Sequence, residues 1–237
     1  LGESAVMALA SGGDFTTDYS HEFQTIVDAG EDTLFIVKSK NLCFNREVAP
    51  SQAPALNDTQ EELKPLTDVE GVGMIGVDEL AKFLNITVEK TTKTLLFETE
   101  KGEVIAAAVR GGYDVDEEKL KKITGASSLK LASAEVVKKV TGAEVGYAGP
   151  LNLPDSVRVF FDESTSNRKN FECGANKTNF HTVNVNWDRD IPMPEKFYDF
   201  KVAKEGDLYP ETGEAYQVVK ACEVGNIFPL HTKFSKA

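Results

Sequence analysis

Apolar positions along this chain change period several times, and each change marks an element. In "VDELAKFL", residues Val77, Leu80, Ala81 and Leu84 recur at helical spacing, which gathers them on one face of a short helix. "DVDEEKLKKITGA" opens with acids and closes with lysines and Gly125, matching the dipole of a second helix and its stop. "SAEVVKKVTGA" repeats that plan, with Ser133 as N-cap and Gly142 just past the end. "KTLLFETEKGEVIAAAVRGG" reads as a hairpin turning at Glu100, Lys101 and Gly102. "DTLFIVKSK" (residues 32–40) and "SVRVFFDES" read as short buried strands. After His181 the apolar Val183, Val185 and Trp187 alternate with Asn184 and Asn186, the period of a half-buried strand. "EKFYDFKVAKEGD" and "AYQVVKACEVGNIF" read as strands around a polar turn.

Residues 49–71, "APSQAPALNDTQEELKPLTDVEG", carry three prolines and no sustained period. They read as a linker or extended crossing, with a domain boundary near residue 58. β-rich ends around a middle of short helices and strands predict a mixed α/β (α+β) fold in which one domain interrupts another. The expected division is 1–57, 58–190 and 191–237.

Composition narrows this picture only a little. At 237 residues, 41% apolar and 27% charged, the chain resembles an ordinary globular protein with room for a substantial core. No apolar run approaches the ~20 residues that span a bilayer, and no basic-then-apolar segment of the secretory kind opens the chain. It begins with Leu1 rather than Met, so it is expected to be a piece of something longer. Cys43, Cys173 and Cys222 lie far apart, which reads as reduced thiols rather than a disulfide framework or zinc site. A formal net charge of −12 argues against a broad electrostatic grip on nucleic acid by this chain alone.

Candidate chemistry is scattered. "GGYD" and "EVGYAGPLNLP" cluster glycines without forming a nucleotide-binding fingerprint. The "GYAGP" stretch reads as a turn or, alternatively, as backbone that approaches a ligand closely. Lys93 leads into a strand, either as a solvated flank or as a contact for a phosphate or carbonyl oxygen. Asp162 closes "VRVFF" as a turn former, an ammonium ligand or a water-ordering group. His181, one of only three histidines, stands at a strand mouth, where backbone satisfaction and catalysis are both open. No nucleophile elbow, Cys–His neighbour or HExxH is present, so in a hydrolase water would attack.

In order along the chain, "SHEFQTIVDAGEDTLF", "VDELAKFLNITVEKTTKTLLF", "GYAGPLNLP", "NFECGANKTNFHTVNVNWDRD" and "EVGNIFPLHTKFSKA" resemble the bacterial-type prolyl-tRNA synthetases. The resemblance implies an editing domain at 58–190, inserted between fragments of a class II catalytic domain. Its editing residues fall on Lys93, Gly149, Asp162 and His181, with Leu96, Ala148, Pro150, Gly174 and Asn176 around the substrate. His21 and Glu22 would belong to the substrate site of the synthetic domain. The implied activity is hydrolysis of alanine misattached to the proline tRNA, with no cofactor. The full enzyme would use ATP and Mg, form a homodimer, bind the tRNA(Pro) acceptor end and work in the cytoplasm, with no membrane partner. The arginine-bearing second and third class II motifs are not in this stretch, so it should not activate proline by itself. Asn226 and His231 depart from the family pattern in the synthetic loop. The rival readings are an insertion that positions tRNA without chemistry and one that only props the synthetic halves.

Overall fold

The computed structural model describes residues 5–232 apart from 14, 15, 17, 57 and 59. Residues 233–237 of the closing motif therefore lie outside the described residues. The chain forms two compact units, residues 1–54 with 202–237 and residues 55–201.

The first unit is a closed barrel in the order β1-β2-β12-β3-β4. It comprises β1 (Ala5–Ala10), β2 (Ser20–Ile26), β3 (Asp32–Val37), β4 (Leu42–Asn45) and β12 (Gln217–Ile227). Neighbours run antiparallel, except that β1 and β4 meet in parallel at Leu9 and Phe44. Closure leaves no long open edge, which removes the usual template for strand addition. Phe35, Val37, Phe44, Tyr209 and Tyr216 form one core cluster of the unit.

The second unit carries two sheets. One has the order β8-β6-β7-β9, built from β6 (Thr92–Thr99), β7 (Val104–Arg110), β8 (Leu129–Leu131) and β9 (Arg158–Phe161). The other has the order β10-β11-β5, from β5 (Thr67–Glu70), β10 (Phe171–Gly174) and β11 (Phe180–Val185). Strand β7 is the centre: Ile105 to Val109 have no exposed surface at all. A strand covered on both faces reads as an unbroken apolar run rather than an alternating one, and "VIAAAV" is such a run. Antiparallel pairing of β6 to β7 and parallel pairing of β9 to β7 make this a mixed sheet.

The helices are α1 (Val77–Leu84), α2 (Glu117–Thr124) and α3 (Ala134–Thr141). Their ends follow local chemistry. Asp116 and Ser133 accept the backbone N–H of Lys119 and Val136 through their side chains, satisfying donors that a helix start leaves unpaired. Gly125 and Gly142 close α2 and α3 in the left-handed conformation.

Three expectations need correction. Residues 195–207 form no strand; Tyr198 and Lys201 make only isolated bridges to Asp162 and Val115, because the backbone N–H groups of Phe200 and Lys201 go to the Asp162 carboxylate instead. The stretch that reads as a linker or extended crossing ends in a paired strand, β5, which joins β11. The alternation after His181 breaks at Asn184, whose φ of 62° turns the chain and leaves Asn186 buried. Asn186 is satisfied there by Asn170 and the Asn184 carbonyl.

Candidate functional site

A cavity of about 310 Å³ opens in the second unit beside the first half of β6. Strand β6 contributes Thr92 to Leu96, α1 contributes Val77 and Leu80, and α3 contributes Val137. Val145, Gly146 and Ala148 come from the loop after α3, and Glu172, Gly174 and His181 from β10 and β11. The lining is mainly apolar with a few convergent polar groups, the usual make-up of a small-molecule pocket.

Lys93 lies on this wall and pairs with Asp114 at 2.6 Å, both side chains reaching solvent. Such a pair is weak and can be exchanged for another anion at little cost. Thr94 is next to it. Its hydroxyl is buried and has no protein partner among the described residues, although such groups are normally satisfied. A ligand in the cavity would supply that partner.

His181 is buried and fully engaged. Nδ1 lies 2.8 Å from Glu172 Oε1, and Nε2 lies 2.9 Å from the Met74 carbonyl oxygen. The Tyr147 ring sits 5.5 Å away. Glu172 is itself almost completely buried, and its other oxygen accepts the Thr92 N–H at 3.2 Å. Behind it, the buried Arg168 guanidinium donates to the carbonyls of Thr165, Glu89 and Thr91 and to the Thr92 hydroxyl. Burial holds the Arg168 pKa down, to about 9. These bonds fix the start of β6, and so the placement of Lys93 and Thr94.

The cavity therefore brings together Lys93, Leu96, Ala148, Gly174 and His181. It does not bring in Gly149, Pro150, Asn176 or Asp162. Gly149 sits against the backbone of Gly174, where an added Cβ would fall 1.8 Å from the Gly174 carbonyl oxygen. Its N–H is donated to Asn176 Oδ1 at 2.8 Å, and the Asn176 amide returns to the carbonyls of Gly149 and Leu151. An N–H already used this way is not an oxyanion donor; the pair staples the turn that contains Pro150. The glycine of this turn that does line the cavity is Gly146, at φ +99° with Ile75 packed where a side chain would go.

Asp162 is fully buried elsewhere in the unit. Oδ1 accepts the Ser164 N–H, and Oδ2 accepts those of Phe200 and Lys201. Lys201, also fully buried, lies 3.7 Å from Asp162 and also pairs with Asp199 and Glu163. Burial lowers its pKa, but the carboxylates of Asp162, Asp199 and Glu163 more than offset that and leave it raised. With its oxygens committed in this way, Asp162 is a structural anchor.

In the barrel, successive residues of β2 face opposite sides: Glu22 is buried beside Ser20 and Gln24, while His21 is only half-buried on the other face. Glu22, Asp32 and Glu223 place carboxylate oxygens within 4.8 Å of one another. The Gln24 amide donates to Glu22 and Asp32, while its own carbonyl oxygen is buried without a partner. An all-oxygen donor set of this kind suits a hard divalent cation.

Residues 74–191 match the family model of the aminoacyl-tRNA editing domain, and every residue lining the cavity falls within that span. Over 234 residues the chain is 37% identical to the proline–tRNA ligase of Maridesulfovibrio salexigens, covering 96% of this chain and 39% of that one. The Chlamydia pneumoniae proline–tRNA ligase is 36% identical over 239 residues, covering 99% and 41%. The Brachyspira hyodysenteriae enzyme is 32% identical over 237 residues, covering 100% and 41%.

The chain belongs to the bacterial-type prolyl-tRNA synthetase family, as a segment that carries its editing domain.

A solved structure described as a putative trans-editing enzyme for prolyl tRNA synthetase aligns with 51% of this chain and 75% of its own, at 23% identity and a TM-score of 0.45. The prolyl-tRNA synthetase segment spans 39% of the length of the first of these relatives. Sequence reasoning missed Glu172 and Thr94, and within the "GYAGP" stretch it settled on Gly149 where Gly146 is the glycine that lines the cavity. Glu172 left one trace: a lone acid between Phe171 and Cys173 in an otherwise apolar strand, a residue type almost never buried without a partner.

Proposed function

We propose that the second unit hydrolyses the aminoacyl ester of tRNA(Pro) mischarged with alanine. The observation that carries this reading is the apolar cavity with Lys93 on one wall and His181 on another, lying wholly within the editing-domain match. The alanyl group enters the cavity, and selection against the bulkier proline ring would be by size. Steric exclusion discriminates well beyond the ~1–3 kcal/mol that one methylene yields in a permissive pocket. Lys93 exchanges Asp114 for the terminal phosphate of the tRNA. Thr94 hydrogen-bonds the substrate through its unpartnered hydroxyl. His181, held at both ring nitrogens, shapes the cavity rather than removing a proton. Water attacks the ester carbonyl with help from the ribose hydroxyl of the substrate itself. The backbone around Gly146, which lines the cavity, would meet the oxyanion, a contribution of roughly 3–4 kcal/mol when such a donor is lost.

In the full-length synthetase the barrel unit would serve ATP-dependent proline activation, in the cytoplasm and as a homodimer. Glu22, Asp32 and Glu223 are the residues whose chemistry would hold Mg, which would neutralise phosphate charge there. The test is incubation of the purified chain with alanyl-tRNA(Pro) and prolyl-tRNA(Pro). Selective loss of the alanyl ester is expected; equal hydrolysis of both, or of neither, overturns the reading.

A further inference from the structure

We infer that Glu172 is a positioning residue: its bond to His181 aims the imidazole so that Nε2 clasps the turn at residues 71–76 onto the cavity. This rests on the editing reading for its link to turnover, but not for its structural content.

Hydrogen-bond donors fix the orientation of the ring. The Met74 carbonyl can only accept, so Nε2 of His181 carries a hydrogen. Nδ1 then faces Glu172 Oε1 at 2.8 Å, and that bond aims the ring. Glu172 is itself held from its other side, where Oε2 accepts the Thr92 N–H.

The other titratable neighbours do not replace either partner. Tyr147 packs its ring on His181, and its hydroxyl accepts from the Gly73 N–H and donates to the Gly71 carbonyl. From β5, Asp68 accepts the Thr182 hydroxyl. Cys173, beside Glu172 on β10, is a buried thiol whose pKa burial raises far above the ordinary range. Lys93 faces the cavity but is paired with Asp114.

What the clasp holds is a cavity wall. The turn at 71–76 is tied down by His181 at Met74, by Tyr147 at Gly73 and by the Asn179 carbonyl at the Gly71 N–H. It presents Ile75 to the cavity. Loss of the Glu172 bond lets the ring turn away from Met74 and loosens that wall, so deacylation slows.

Glu172→Gln separates this from a merely structural role. Its carbonyl can still accept from Thr92 while its NH₂ donates to a neutral Nδ1, leaving Nε2–H on Met74. The test is the rate of alanyl-tRNA deacylation, corrected for spontaneous ester hydrolysis, together with ¹⁵N NMR of the His181 ring. Glu172→Ala should slow turnover by about 100-fold, the scale of an ångström-size misplacement. Glu172→Gln should restore most of it. In the unsubstituted chain and in Glu172→Gln the Nε2 proton should be hydrogen-bonded, and in Glu172→Ala that bond should be lost. A Glu172→Gln chain as slow as Glu172→Ala, or an unchanged Nε2 signal in Glu172→Ala, overturns the inference. Loss of the Nε2 bond in Glu172→Ala of a chain without deacylase activity upholds the clasp and refutes the editing reading instead.

Discussion

Two buried acid–base pairs of the second unit, Asp162 with Lys201 and Glu172 with His181, sit in opposite circumstances. At the Asp162 corner, carboxylate and ammonium are enclosed by backbone donors and further acids. At the cavity wall, Glu172 and His181 are equally buried but border about 310 Å³ of open space. Burial and charge pairing are common to both. The difference lies in what remains uncommitted nearby: the Thr94 hydroxyl and an exchangeable Lys93 at the cavity, against an acid whose oxygens are committed to backbone and Lys201 at the corner. Buried ion pairs serve structure by default. Space and uncommitted polar groups next to one make it a candidate for chemistry.

The contrast can be broken most sharply at the corner. Asp162→Ala takes one of its carboxylate partners from Lys201 and the acceptor from three N–H groups, and should cost about 3–5 kcal/mol of stability, read by urea denaturation; a loss under about 1 kcal/mol would contradict the anchor role. At the cavity, His181→Ala should slow deacylation of alanyl-tRNA about 100-fold while the chain still unfolds cooperatively. Lys93→Ala should raise KM for alanyl-tRNA about tenfold and change stability by less than about 1 kcal/mol, since its pair with Asp114 is exposed. Gly149→Ala sharpens the point from another side: it should destabilise the turn against Gly174, so activity should fall in step with the folded fraction rather than ahead of it. The smallest effect belongs to the thiols. Cys222 is exposed, whereas Cys43 and Cys173 are buried, and burial lifts the Cys43 pKa to about 11. Mild alkylation should therefore label Cys222 alone and leave activity intact.

What the sequence made legible was local. The helix at Val77–Leu84 and the caps at Ser133 and Gly142 depend on neighbours within a turn, and amphipathic spacing reveals them directly. Strand β8, with three residues, and β5, within a proline-bearing polar stretch, exist because distant strands pair with them. No periodicity over so few residues announces that. Residues 195–207 failed in the other direction: their apolar alternation suits a strand, but the Asp162 carboxylate takes two of the N–H groups a ladder would need. The site followed the same rule. Lys93 and His181 were recognisable from motifs, and both reach the cavity. Asp162 and Gly149 came from the same resemblance, yet their partners at Lys201 and Asn176 are set by tertiary contacts that the motifs do not carry. Glu172 became visible only once β10 and β11 lay side by side.

The central claim is that the cavity holding Lys93 and His181, and not the Asp162 corner, receives the charged tRNA end. A crystal structure of the chain with a non-hydrolysable amide analogue of 3′-alanyl-adenosine tests it most directly. The account predicts the alanyl methyl inside the cavity, the Thr94 hydroxyl hydrogen-bonded to the ligand and the Asp162–Lys201 contacts unchanged. A ligand seated at Asp162, or on the Gly149 turn with the cavity left empty, would contradict it.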